Sequence, residues 1–127
     1  MTETFKKLNY KGQRPILVFD APASFDHEIK AMHDAEVHTR PKKDLTYGFA
    51  LAFAAMKKDL VKAAQDLKPF LGADTVLWFA YPKQTSRAFT SDLNRDSCWA
   101  ALAPFGLQPV RQIAIDEDWS ALRYKRA

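Results

Sequence analysis

Four side chains stand where apolar runs end, and together they carry the chemistry to hold an anion. Asp20 follows the run ILVF at residues 16–19, while Lys83, Ser86 and Arg87 follow LWFAY at residues 77–81 and Pro82. An ammonium, a guanidinium and a hydroxyl all donate to phosphate or carboxylate oxygens. A carboxylate beside them can relay a proton, so Asp20 and Lys83 are also the pair an enzyme would use on a phosphorylated or carboxylated metabolite. The same residue types furnish any solvated loop, so their weight depends on whether the fold gathers them.

Other chemistries lack their spacing. The glycines are Gly12, Gly48, Gly72 and Gly106, and none lies in the turn after the first strand, which reads Asp20-Ala21-Pro22-Ala23-Ser24. That turn cannot be the glycine cradle of a dinucleotide site, and no P-loop pattern occurs. NAD, FAD, ATP and ordinary S-adenosylmethionine binding are all argued against, and no cofactor is expected. His27 and His33 would lie about 240° apart around a helix, so they share no ion. With His38 on the next strand, no metal site is expected. Asp116-Glu117-Asp118 lacks the companion oxygens of a calcium loop and reads as a solvated turn. Cys98 falls on the packing stripe of a helix beside no evident base, as an inert buried thiol does. Basic residues cluster at Lys6-Lys7, residues 40–43, Lys57-Lys58 and residues 123–126, but no aromatics interleave with them as a nucleic-acid platform needs.

The elements that position these residues alternate between strand and helix. Residues 16–19 form a first strand, and Ser24 reads as the N-cap of a helix over residues 24–32, with Asp26 and Glu28 in its first turn. A short second strand is expected around residues 35–39, at an edge of the sheet. Residues 47–53 (YGFALAF) and 75–81 (TVLWFAY) are apolar on both faces, as central strands covered on each side are. Leu60, Val61, Ala64, Leu67 and Leu71 recur at helical spacing, with Gly72 where a C-cap belongs. Residues 92–105 read as another helix, capped by Gly106. Residues 110–115 and 119–124 are strands joined by three acidic residues, a connection that permits only an antiparallel hairpin. Pro82 marks where ladder bonding should stop, and Trp78, Trp99 and Trp119 are expected to pack in the core, Trp119 least securely because it opens a strand beside the acidic turn. The pattern implies an α/β fold: a three-layer Rossmann-like sandwich, mostly parallel, whose C-terminal hairpin resembles the methyltransferase type.

The 127 residues fit a single domain. The formal charge of +4 favours solubility without defining a partner. One cysteine excludes an internal disulfide and points to a reducing, cytoplasmic setting. No secretory apolar core is visible near Met1, and the longest apolar run falls well short of the roughly 20 residues that span a bilayer.

Two blocks carry a family resemblance. KLNYKGQRPILVFDAP, and LWFAYPKQTSR with SDLNRD and FGLQPVRQIAIDEDWSALRYKR, resemble the bacterial family catalogued as domain of unknown function 3052. The shared features are a Lys-Gly before the first strand, an Ala-Pro after it, and the strand end Trp78-x-x-x-Pro82-Lys83. To these add the Asp92-Leu93 helix start and the hairpin Ile115-Asp116-x-x-Trp119-Ser120-x-Leu122. The resemblance implies that Lys83, Asp92, Asp116, Trp119 and Ser120 belong to shared motifs. It implies a Rossmann-like fold and supplies no activity.

The expectation from sequence is therefore a non-catalytic binding or interaction module, acting on a protein partner, a second copy of itself or a small anionic ligand. The alternative is a small enzyme for an anionic metabolite, using Lys83 and Asp20.

Overall fold

The structure, a computed structural model, describes residues 2–33 and 35–126. The strands are β1 (Ile16–Phe19), β2 (Val37–His38), β3 (Tyr47–Phe53), β4 (Leu71–Pro82), β5 (Leu107–Ala114) and β6 (Trp119–Arg126). They form one six-stranded sheet in the order β2-β1-β3-β4-β6-β5. Pairing is parallel from β2 to β4, and β6 is antiparallel to both of its neighbours. The chain therefore has the α/β, Rossmann-like architecture expected, with the hairpin closing one side. The order reverses between β1 and β3, so a crevice opens at their carboxyl ends.

Alternating side chains divide the core between the two faces of the sheet. Phe49, Leu51 and Trp78 face α1 (Glu3–Lys7) and the turn before α2 (Asp26–Lys30), meeting Phe5, Leu8 and Phe25. Ala50, Ala52, Leu77 and Phe79 face α3 (Lys57–Leu67) and α4 (Arg95–Leu102), meeting Leu60, Ala64, Leu67, Cys98 and Leu102. Strand geometry sends neighbours to opposite faces, which is why both central strands read as continuous apolar runs. The alanines on the α3 side leave room for that helix to lie close.

Helix α1 has no counterpart in the sequence reading. Thr2 Oγ1 caps it by accepting the Phe5 N–H at 3.2 Å, and Lys6 and Lys7 close its last turn. It buries Phe5, and the Trp78 indole N–H donates to the Leu8 carbonyl at 2.8 Å. That bond pins the helix over the middle of β4.

Several boundaries differ from expectation. Ser24 does not cap a helix: residues Ala23–Phe25 form a 3₁₀ turn after Pro22, and α2 follows with no side-chain cap. Gly72 is not a helix cap either. Pro69 ends α3 in a 3₁₀ turn, Lys68–Phe70, and Gly72 already belongs to β4, where its N–H donates to Thr75 Oγ1 at 2.8 Å. Helix α4 starts at Arg95, not residue 92, because Asn94 and Ser97 form a capping box there. Pro82 does not end the ladder: it pairs with Trp119, and the Lys83 N–H still donates to the Asp118 carbonyl at 2.7 Å. The edge strand β2 is only two residues long, too short to template pairing with another chain. No helix among the described residues is long and apolar enough to cross a membrane.

Candidate functional site

A cavity of about 510 Å³ occupies the crevice at the β1–β3 reversal. Phe19 and Asp20 come from the end of β1, Phe53 to Ala55 from the end of β3, and Arg40 from just beyond β2. Helix α3 adds Asp59, Lys62 and Asp66, at spacings that place them on one side of a helix. Phe89 and Trp119 close the remaining wall. The Trp119 ring stands edge-on to Phe53 at 5.1 Å and to Phe89 at 4.9 Å, so the aromatic wall is one packed unit. Trp119 is only 4% exposed, packed in the core as expected, because these rings cover it, whereas Trp99, expected in the core as well, stands 53% exposed on α4. Its indole N–H is buried without an acceptor among the described residues.

The charges on the wall are mixed and lean acidic. Asp20, Asp59 and Asp66 face Arg40 and Lys62. Lys62 reaches Asp66 at 3.2 Å, and the Arg40 guanidinium lies over the Phe19 ring at 5.5 Å. Asp20 adopts φ +57, a left-handed conformation that Asp and Asn tolerate better than most residues. It therefore turns the chain out of β1 at the mouth of the crevice. Pro22 then offers no N–H, and only a short 3₁₀ turn follows, so this loop presents no row of backbone donors to a phosphate.

The structure separates the four sequence candidates. Asp20 lines the cavity, and Lys83, Ser86 and Arg87 are absent from its wall. The segment that carries those three is folded onto the β5–β6 hairpin. Ser86 Oγ donates to Asp118 Oδ1 at 2.8 Å and accepts the Phe89 N–H at 3.2 Å, while the Ser86 N–H donates to the Lys83 carbonyl. Ser86 thus reaches the cavity only through Phe89.

The shared-motif residues have structural work. Asp116 Oδ1 accepts the N–H groups of Asp118 and Trp119 at 2.8 and 2.9 Å, which holds the acidic turn and delivers Trp119 to the cavity. Ser120 is buried opposite Tyr81 on β4 and Ala114 on β5. Asp92 does not begin α4; its Oδ1 accepts the Lys57 N–H at 2.7 Å and so caps α3, whose own N-cap, Met56, has no side-chain acceptor.

Arg40, Asp59, Lys62, Asp66 and Phe89 were not anticipated as site residues. The recurrence of Asp59, Lys62 and Asp66 at intervals of three and four was visible in the sequence, but nothing in it said which end of the sheet that helix face covers.

The remaining reactive side chains lie away from this cavity. Cys98 is 1% exposed, and burial, with the Asp92 carboxylate adding to it, pushes its thiol up to about 12. Burial likewise raises Tyr81 to about 12 and carries Tyr124 higher still. His38 is buried between Tyr47 Oη at 2.6 Å and Glu36 Oε2 at 2.7 Å. Because Tyr47 Oη already accepts the Lys42 N–H, the bonds close with the phenol donating to Nδ1 and Nε2–H donating to Glu36. Tyr47 is fully enclosed, so this chain of bonds fastens the loop after β2. His27 and His33 are exposed, and no group of three or more ligating side chains among the described residues could hold a metal ion.

No family model matches the chain, and no curated protein matches it in sequence. Its likeness is to solved structures. Mitomycin 7-O-methyltransferase MmcR superposes with a TM-score of 0.65 at 11% identity, over 98% of this chain and 53% of that one. A SAM-dependent methyltransferase from Aquifex aeolicus does so with a TM-score of 0.62 at 12% identity, over 96% and 88% respectively. LepI in complex with SAM gives 0.60 at 11% identity, over 96% of this chain and 38% of LepI. The chain thus spans well under two thirds of LepI and of the mitomycin enzyme. At these identities the likeness is one of fold, and it defines the class: a Rossmann-like α/β domain of the methyltransferase type.

Proposed function

We propose that this chain is a small-molecule binding module without catalysis of its own, that its site is the crevice between β1 and β3, and that it belongs to the domain of unknown function 3052 family. The observation that carries the reading is the make-up of the cavity wall. It holds four aromatic rings and three carboxylates but no serine, threonine, cysteine, histidine or tyrosine. Without hydroxyl, thiol, imidazole or phenol, the wall's proton-relaying groups are its carboxylates and Lys62, and Lys62 is already paired with Asp66. The Ala-Pro-Ala turn after Asp20 argues against an ordinary S-adenosylmethionine or dinucleotide cradle, whatever the likeness of fold.

The same wall favours a ligand with a planar or apolar body and a positive centre. Aromatic faces attract cations, and carboxylates outnumber cationic groups there, each of which already has a partner on the wall. This ligand differs from the small anion expected from Lys83 and Arg87.

Titration calorimetry with quaternary ammonium and aromatic cations, set against phosphate and dicarboxylates, tests the reading. Cations should bind, and Asp20→Asn, which keeps the left-handed turn, should weaken them about tenfold, or about 1.4 kcal/mol. Lys83→Ala should leave affinity unchanged. Binding confined to anions and lost in Lys83→Ala would replace this reading with the anion site. Turnover of a bound compound would end the non-catalytic one.

A further inference from the structure

A second cleft, of about 340 Å³, opens at the other end of the sheet, where β4 begins and β6 ends. We infer that it is a binding site for an amphipathic anion, an apolar chain carrying a carboxylate or phosphate head. Leu71, Leu77, Phe79, Phe105, Leu107 and the Tyr124 ring supply an apolar interior. Phe79 and Tyr124 stand edge to face at 5.7 Å, which fixes that interior in place.

Every charged residue lining this cleft is basic: Lys68, Lys125 and Arg126. None of them takes part in an ion pair among the described residues. The first cavity mixes acids with bases, whereas this cleft sets a wholly basic rim over an apolar interior. A low-dielectric wall behind the cations strengthens their field at the mouth. The volume is at the small end of the range for ligand pockets, about 300–1,000 Å³. A short single chain suits it, and a bulky lipid does not.

The local backbone explains why the cleft exists. Pro69 and Pro104 end α3 and α4 in 3₁₀ turns above the start of β4 and β5. Gly106, at φ +74, then reverses the chain into β5. Both helices therefore end in tight turns beside the cleft, where Leu71, Phe105 and Leu107 stay only half-buried.

The probes are decanoate below its micellar concentration, decyltrimethylammonium with the same chain and the opposite head, and inorganic phosphate. Backbone amide shifts in ¹⁵N-labelled protein report where each one binds. Decanoate should perturb Leu71 to Thr75, Gly106, Leu107 and Lys125, and the combined variant Lys68→Glu, Lys125→Glu, Arg126→Glu should weaken it at least tenfold. These residues are exposed, so the variant's fold can be verified from its own spectrum. The cationic amphiphile should bind the variant better than the wild type. Phosphate alone should bind far more weakly than decanoate. Equal perturbation of these cleft amides by both amphiphiles in the wild type would overturn the inference in favour of unspecific apolar contact, as would decanoate shifts confined to Phe53, Ala54 and Trp119 at the opposite end. Phosphate binding as tight as decanoate would reduce the site to a bare anion patch and also overturn it. Binding to anionic vesicles but not to free decanoate would assign the surface to a membrane instead. Shifts that the cationic amphiphile causes at Phe53, Ala54 and Trp119 report the first cavity and leave the outcome at this cleft unchanged.

Discussion

Ser86 Oγ donates to Asp118 Oδ1 at 2.8 Å, joining the segment after β4 to the turn of the hairpin 32 residues later. The same oxygen accepts the N–H of Phe89, whose ring packs on Trp119 in the cavity wall. Ser86 is therefore a positioning residue for the site. Ser86→Ala should cost about 1 kcal/mol in urea denaturation, the value of a typical hydrogen bond. It should also shift the Trp119 indole N–H resonance while leaving that of Trp78 in place. Unchanged Trp119 with full stability would show that the loop holds itself without this bond.

Phe5 has the same relation to the opposite face of the sheet. Its ring is fully buried against Phe25 and Phe49, at 6.1 and 5.9 Å. Phe5→Ala should destabilise the domain by about 3–5 kcal/mol, since it removes a buried ring from a helix too short to hold itself. Hydrogen exchange should show the Trp78 indole losing protection with the amides of α1. A cost below about 1 kcal/mol would mean that α1 is dispensable.

How much of this was legible in the sequence depended on how local the cause was. YGFALAF announced a strand covered on both faces, and the acidic triplet between two strands forced a hairpin, because period and connection length are local properties. Helix ends were misread where Pro69 and Pro104 turn the last residues into 3₁₀ geometry. Helix α1 escaped notice because one turn carries no periodicity. At the site, the rule that ligands sit beyond parallel strand ends found Asp20. Lys83 and Arg87 obeyed the same rule in sequence, yet Asp118 turns their loop aside, and a bond across 32 residues leaves no local trace. Arg40 and Phe89 reach the cavity by tertiary placement alone.

Asp92 illustrates a role that sequence position misassigns. It caps α3 from across the molecule, through the Lys57 N–H, and stands three residues ahead of the helix it seemed to start. Asp92→Ala should cost about 1 kcal/mol, within the range for lost caps, whereas Asp92→Asn should retain most of it. Amide exchange of Lys57 to Asp59 is the direct readout. If the first turn of α4 loosens instead, the capping assignment fails.

Tyr124 sets the behaviour of the fold in alkali together with Cys98 and Tyr81. All three are buried, and burial raises each above its ordinary value, Cys98 and Tyr81 to about 12. The unfolded chain sheds the Cys98 proton near pH 9 and the phenol protons near pH 10, while the folded chain keeps them. Stability from these groups is thus complete below pH 9. It is lost as pH rises toward 12, at about 1.4 kcal/mol per pH unit for each group. The Tyr124 hydroxyl is buried and unpartnered among the described residues, so Tyr124→Phe removes a titrating group without breaking a bond. That variant should match or exceed the wild type at pH 7, by up to about 1 kcal/mol. It should also lose stability less steeply above pH 10. Denaturant unfolding at stepped pH measures both effects. Parallel curves for the two proteins above pH 10 would show that Tyr124 ionises as readily in the folded state as in the unfolded chain, and that its burial is not what the structure describes.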